Sequence, residues 1–195
     1  MTEIVLIRHA ETDLAGKFCG HSDPDLNAAG LHRLRSIMEE VAPLGITRIY
    51  SSDLRRASRT ATTISERIGA PVEFRSGFRE IHFGRWEGLT WDQVQRSYPT
   101  EAELWVRDFP ARSAPEGEAY RDFTARVEAE FRRVIAQHKN TPLAVVTHSG
   151  VMQCALTRFF GFTRDEARKE TENYGAIVVV TPQDLREIDS MGIRA

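Results

Sequence analysis

Short, wholly apolar runs alternate along the chain with longer stretches whose apolar residues recur every three or four positions. Ile4–Ile7 is one such run, the kind expected of a strand covered on both faces. Asn27 stands where it can cap a helix carrying Ala28, Leu31, Leu34, Ile37, Met38 and Val41 on one stripe, with Pro43 and Gly45 to end it. Arg48–Ser51 reads as a second strand running into Ser52-Asp53, at the head of a helix with Leu54, Ala57, Ala61, Ile64 and Ile68 inward. Gly69-Ala70-Pro71 turns the chain into a third strand, Val72–Arg75. Further on, Tyr120, Phe123, Val127, Phe131, Val134 and Ile135 keep helical spacing, Leu143–Val146 is the next strand, and Val151–Phe160 a helix. Thr163 and Glu166 have capping-box spacing for one more helix. Ala176–Thr181 and Leu185–Ile188, split by Pro182, read as a closing hairpin.

This order predicts an α/β fold, a three-layer α/β/α arrangement around a mostly parallel central sheet with right-handed crossovers. The pattern changes between about residues 77 and 117, where Trp86, Trp91 and Trp105 all fall among glycines and prolines. That stretch reads as a small, largely helical cap inserted into one domain spanning residues 1–195, a length that suits a single core.

Composition adds exclusions. A formal net charge of −2 gives no overall basic field for nucleic acid or an anionic membrane. No apolar run approaches the length of a membrane span, and no leader pattern is present, so a cytoplasmic location is expected. Cys19 and Cys154 make neither a CxxC pair nor a disulfide framework; Cys154 reads as a buried thiol.

The chemistry concentrates in four polar segments that the fold sketch places at one sheet edge. Arg8-His9 leaves the first apolar run, and Thr147-His148-Ser149-Gly150 leaves another; between them come Ser52-Asp53-Leu54-Arg55-Arg56 and Arg79-Glu80. Strand ends are where open α/β sheets present ligands. Arg8 and Arg56 suit paired, charge-assisted grips on phosphate oxygens. His9 can attack phosphorus if one ring nitrogen is unprotonated and the other held by an acceptor. His148 can donate to the equatorial oxygens as charge shifts in the transition state. Glu80 is the acid for the leaving alkoxide, provided burial raises its pKa. The arginines supply the positive charge, so neither metal nor cofactor is expected. A metal reading of His9, Glu11, His21 and His148 lacks the spacing that puts two ligands on one element.

Arg8-His9-Ala10-Glu11-Thr12, Ser51-Ser52-Asp53-Leu54-Arg55-Arg56-Ala57, Glu80 through Gly88, and Thr147-His148-Ser149-Gly150-Val151 occur in that order. Together they resemble the motifs of the histidine phosphatase superfamily, also called phosphoglycerate-mutase-like, over residues 4 to about 160. The resemblance implies that the active-site arginine is Arg56, with Arg55 turned away, and that Glu80 is the proton donor. The loop from Gly16 to Leu26 and the segment Pro115-Glu116-Gly117-Glu118 are most similar to the α-ribazole-phosphatase and broad-specificity branch. This implies a metal-independent phosphomonoesterase with a phosphohistidine intermediate and a substrate such as α-ribazole 5′-phosphate. The alternatives are a phosphoglycerate-type mutase, disfavoured by the short chain, and a non-catalytic phospholigand-binding protein.

Two positions depart from the pattern: Ala10 stands where the family normally has Gly, and Ala15 where many members have Asn. If position 10 needs positive φ, alanine there costs about 1 kcal/mol. Thr12, Lys17 and His21 are the residues that can supply the donor lost at Ala15, and Ser149 joins Thr12 and His21 as expected substrate contacts. Trp86 is placed at the pocket wall and Trp91 and Trp105 in the cap core. Glu87 is a candidate partner for an active-site arginine; His32 and His138 are expected to face solvent. A homodimer is expected to pair through the closing hairpin.

Overall fold

The computed structural model describes residues 3–138 and 141–181. Five strands form one sheet in the order β3-β2-β4-β1-β5, and all neighbours are parallel except β5 against β1. The strands are β1 (Ile4–Arg8), β2 (Arg48–Ser51), β3 (Val72–Phe74), β4 (Leu143–Thr147) and β5 (Ile177–Val180). Successive side chains on a strand point to opposite faces, and the apolar runs use both. Val5, Ile7, Ala144 and Val146 pack toward α1 (Ala28–Val41) and α2 (Arg55–Ile68). Ile4, Leu6, Leu143 and Val145 pack toward α5 (Tyr120–Gln137) and α6 (Ser149–Phe159). The result is an α/β/α sandwich, and it explains why β1 and β4 carry no polar alternation.

Between β3 and α5 the chain leaves the sheet. It forms α3 (Trp91–Ser97), which starts in a Thr90–Gln93 capping box, and α4 (Pro99–Asp108). Trp86, Val94, Ala102 and Ala114 make a separate small core there, packed by Phe18, Phe83, Trp91 and Trp105. A last helix, α7 (Arg164–Glu170), follows α6 and begins in the Thr163–Glu166 capping box.

Several local expectations are corrected. α2 begins at Arg55, because Ser52 and Asp53 turn their side chains to other partners, and Leu54 stands at its cap without a side-chain bond. β3 stops at Phe74, and Leu31, on the predicted apolar stripe of α1, is 45% exposed. His138 does not face solvent freely: it is half-buried, with Nε2 2.6 Å from the Tyr50 hydroxyl. β5 reaches the sheet by pairing antiparallel with β1; the other half of the expected hairpin, Leu185–Ile188, lies outside the described residues.

Candidate active site

The parallel register of β1 and β4 sets Arg8 opposite Thr147, so His9 and His148 leave the sheet side by side, their ring centroids 5.1 Å apart. His9 is buried. Its Nδ1 lies 2.7 Å from the Ala10 carbonyl, which can only accept, so Nδ1 carries the proton and Nε2 the lone pair. Arg56 Nε donates to that Nε2 at 3.2 Å. Burial, and then the charges of Arg56 and Arg8, hold the imidazole well below the usual histidine range.

Arg56 sits in the first turn of α2 with no exposed surface. Its Nη1 donates to Ser22 O at 2.7 Å, and its Nη2 to Gly20 O at 2.7 Å and Cys19 O at 3.2 Å. That loop is tied in turn by Glu87, whose carboxylate accepts from the backbone N–H groups of Gly20, His21, Ser22 and Phe83 at 2.9 to 3.1 Å. Burial pushes the Glu87 carboxyl up, and these amides together outweigh it, leaving its pKa lowered. Glu87 therefore holds the loop rather than an arginine. Gly20 is required by close approach, since a Cβ there would lie 2.1 Å from Ile81 O. Arg55 points outward to Asp25.

Arg8 reaches across to the segment before β5. Its Nη1 donates to the carbonyls of Thr171 and Glu172, and its guanidinium carbon lies 4.0 Å over the Tyr174 ring. Arg8 Nε is buried without a partner, as is His148 Nδ1. The other ring nitrogen of His148, Nε2, lies 2.9 Å from Ser52 Oγ. Ser52 Oγ also accepts from Leu54 N–H at 3.3 Å. Burial and the Arg56 charge keep His148 neutral, well below the usual range.

Glu80 is 7% exposed, and its two oxygens accept from Ile81 N–H and Gly150 N–H, both at 2.9 Å. Burial raises its pKa, although these amides and the Arg56 and Arg8 charges pull the other way. Arg126, paired with Glu118 at 2.7 Å, donates to the backbone carbonyls of Gly77, Arg79 and Glu80 and so fixes the turn that presents the acid. A cavity of about 150 Å³ is lined by Arg8, His9, Thr12, Glu80, Ser149 and Tyr174, among others. This is room for a tetrahedral oxyanion, with the unprotonated His9 Nε2, the unpartnered Arg8 Nε and the Glu80 carboxyl at the same cavity.

The description "histidine phosphatase superfamily (branch 1)" matches residues 4–191 of the chain. The chain belongs to the histidine phosphatase superfamily. It is 30% identical over 177 residues to phosphoserine phosphatase 1 of Hydrogenobacter thermophilus, covering 86% of this chain and 84% of that protein. It is 32% identical over 169 residues to the metal-independent phosphoserine phosphatase of Arabidopsis thaliana, covering 81% and 68%. The α-ribazole phosphatase structure from Shigella flexneri superposes with a TM-score of 0.84, covering 93% of this chain and 91% of that one; at 22% identity it shows a shared fold. These relatives place the protein among the phosphoric monoester hydrolases.

Within this histidine phosphatase, Arg8, His9, Arg56, Glu80 and His148 converge. Thr12 is buried on the wall of the small cavity, with Oγ1 accepting from Leu14 N–H. Ser149 lines the cavity too, but its hydroxyl bonds to Thr171, and the Gly150 N–H goes to Glu80 rather than to an anion. His21 stands behind the acid, Nε2 3.1 Å from Glu80 O and its ring 4.8 Å from that of His82. Ala10 has no positive φ and bonds through N–H to Thr60 Oγ1, so the glycine penalty does not arise. Ala15 is exposed. Trp86, expected at the pocket wall, is wholly buried in the cap core, while Trp105 packs against that core and also lines a neighbouring cavity. His9, Glu11, His21 and His148 form no metal-binding group; none exists among the described residues. No helix among them is long and apolar enough to cross a membrane. Ser52, Arg126 and Tyr174 went unassigned in the sequence. Ser52 lies inside a quoted motif, but Arg126 and Tyr174 carry no local signal.

Proposed function

We propose that the protein is a metal-independent phosphomonoesterase that passes the phosphoryl group through His9. The observation that carries this reading is His9 itself: Nδ1 is held by the Ala10 carbonyl, and Nε2 is left unprotonated at a cavity also lined by Arg8, whose buried Nε lacks a partner. Arg8 and Arg56 offset the charge on the phosphoryl oxygens, and neutral His148 donates a hydrogen bond to them. His9 Nε2 attacks phosphorus, the bond to the ester oxygen breaks, and Glu80 gives that oxygen its proton. Water then attacks the phosphohistidine, passing a proton to the Glu80 carboxylate, and phosphate leaves with His9 restored. The substrate is a small phosphorylated metabolite; Thr12 and Ser149 border it, and His21 acts through the Glu80 backbone.

The test is phosphate release in EDTA by wild type and His9→Ala, using α-ribazole 5′-phosphate, nucleotides, phosphoserine and 3-phosphoglycerate. Release by wild type alone is expected. Phosphoryl exchange between phosphoglycerates with little free phosphate points to a mutase. Saturable binding without turnover points to a phospholigand-binding protein, and activity that requires added divalent metal overturns the mechanism.

A further inference from the structure

Arg8 and Arg56 are aimed by different parts of the chain. Arg56 is fixed by the carbonyls of Cys19, Gly20 and Ser22, in the loop that Glu87 ties down. Arg8 closes β1 and is fixed by the segment between α7 and β5. Its Nη1 donates to the carbonyls of Thr171, at 2.9 Å, and Glu172, while the Tyr174 ring covers the guanidinium. With Nη1 held there, the edge left for a paired grip is Nε–Nη2. Arg79 uses that same edge on the two oxygens of Asp53, at 2.7 and 2.6 Å. Arg8 Nε is buried without a partner, and Arg8 lines the phosphate cavity. The place of the Thr171 carbonyl therefore decides where the gripping edge points.

Thr171 is itself held from α6. It is wholly buried at the C-terminal cap of α7, and its hydroxyl donates to Ala167 O at 2.8 Å, which uses its only proton. The hydroxyl oxygen is left as an acceptor, and Gln153 Nε2 donates to it at 3.1 Å. The other proton of that amide goes to Ser149 Oγ at 3.0 Å. Ser149 Oγ in turn donates to the Thr171 carbonyl at 3.2 Å, beside Arg8. One amide thus reaches both oxygens of Thr171, one directly and one through Ser149. Gln153 borders the neighbouring cavities but not the phosphate cavity. Any influence it has on phosphate must pass through other groups.

We propose that Gln153 is a positioning residue for phosphoryl transfer: it fixes Thr171 and, through the Thr171 carbonyl, aims the Nε–Nη2 edge of Arg8 at the phosphate. The proposal rests on the phosphatase reading above for the role of Arg8. What position 153 must supply is donors. Gln153→Leu removes the bonds and adds no charge. Gln153→Glu keeps the shape but offers acceptors alone, so it repels the Thr171 hydroxyl oxygen and draws the Ser149 proton off the Thr171 carbonyl. Position 153 is half-buried on a helix, and leucine and glutamate are both good helix formers, so both variants keep the fold.

The test measures p-nitrophenyl phosphate turnover and vanadate inhibition in both variants, with Arg8 present and in an Arg8→Ala background. Vanadate has no alcohol half, so its affinity reads the phosphate cavity alone. Gln153→Leu is expected to lower vanadate affinity and kcat/KM about tenfold each, and Gln153→Glu to lower them further, with the melting temperature little changed. In the Arg8→Ala background the same substitutions should cost less than about twofold, because the group they act through is gone. The nitrogen NMR signal of Arg8 Nε–H should move in Gln153→Leu while those of the His148 ring stay in place. Equal losses with and without Arg8, or vanadate affinity unchanged in both variants, overturn the proposal and leave the phosphatase reading standing. A wild type that binds vanadate but cleaves no ester removes the phosphatase reading, and the vanadate comparison alone then decides the role of Gln153. No vanadate binding by wild type overturns both.

Discussion

Ser52 Oγ lies 2.9 Å from His148 Nε2, joining a hydroxyl just past β2 to an imidazole just past β4, and we expect the hydroxyl to donate to Nε2 and so hold the ring proton on Nδ1. Free imidazoles have no such constraint. Ser52→Ala removes it without disturbing a charge. The expected outcome is a loss in kcat of about 10²-fold, the scale of one misplaced transition-state donor. Nitrogen NMR of His148 checks the cause: the wild-type Nδ1–H signature is replaced or mixed in the variant. A wild-type spectrum showing Nε2–H would sink the assignment.

Protonation at His9 and Glu80 runs in opposite directions. His9 must be neutral, so activity rises with pH through a pKa held below the usual histidine value. Glu80 must be protonated, so activity falls with pH through a pKa raised above the usual carboxylate value. A bell-shaped kcat/KM profile with a mildly acidic optimum is expected for alkyl esters. Glu80→Gln should lose the falling limb and slow alkyl esters by about 10²-fold or more. A p-nitrophenyl ester, whose leaving group needs no proton, should be slowed far less. Equal slowing of both esters would remove Glu80 from the acid role.

Gly150 opens α6 against the acid, and a Cβ there would lie 2.4 Å from Glu80 Oε1. The position has no positive φ, and alanine favours helix by up to about 1 kcal/mol over glycine. Gly150→Ala is thus expected to keep the fold while displacing the carboxyl. Activity should fall by at least tenfold with the circular-dichroism spectrum unchanged.

Glu87 is a hinge pin of another kind. Glu87→Gln keeps its shape but turns an NH2 toward amides that donate, leaving a partly buried N–H unsatisfied at a cost of about 1–3 kcal/mol. The loop that grips Arg56 should loosen. On the proposed role of Arg56, inhibition by inorganic phosphate or vanadate is expected to weaken more than thermal stability does.

Trp86 anchors the small core of the inserted segment and is wholly buried. Trp86→Ala is expected to cost about 3–5 kcal/mol, measurable as a lower urea midpoint. A change below 1 kcal/mol would mean the insertion collapses around the gap.

The convergence of Arg8, His9, Arg56, Glu80 and His148 was legible in the sequence because strand ends and motif order travel together. Arg8-His9 and His148 each follow an unbroken apolar run, and a parallel sheet necessarily gathers such ends. The apolar stripes likewise gave α1, α2 and α5. What was not legible depends on contacts across the chain. Leu31 lies on the right stripe yet faces solvent because nothing packs there. Trp86 lies at the centre of the cap core instead of the pocket wall, because three tryptophans in a short insertion have the same local pattern. Glu87 looked like a partner for arginine, since sequence shows a carboxylate's charge but not the four backbone amides around it.

Arg8 and Thr171, joined in the site, stand 163 positions apart in the chain, and β1 pairs with β4 across nearly as long a stretch. Long-range pairings of this kind form late and slowly. Competence for the chemistry is therefore a property of the finished chain. A nascent polypeptide that has delivered His9, Arg56 and Glu80 but not yet Tyr174 has its histidine aimed by Ala10 and Arg56 but lacks the Thr171, Glu172 and Tyr174 contacts that hold Arg8. A product truncated before that point is expected to lose its hold on Arg8, and recovery of turnover during refolding is expected to follow the last docking event rather than the first collapse.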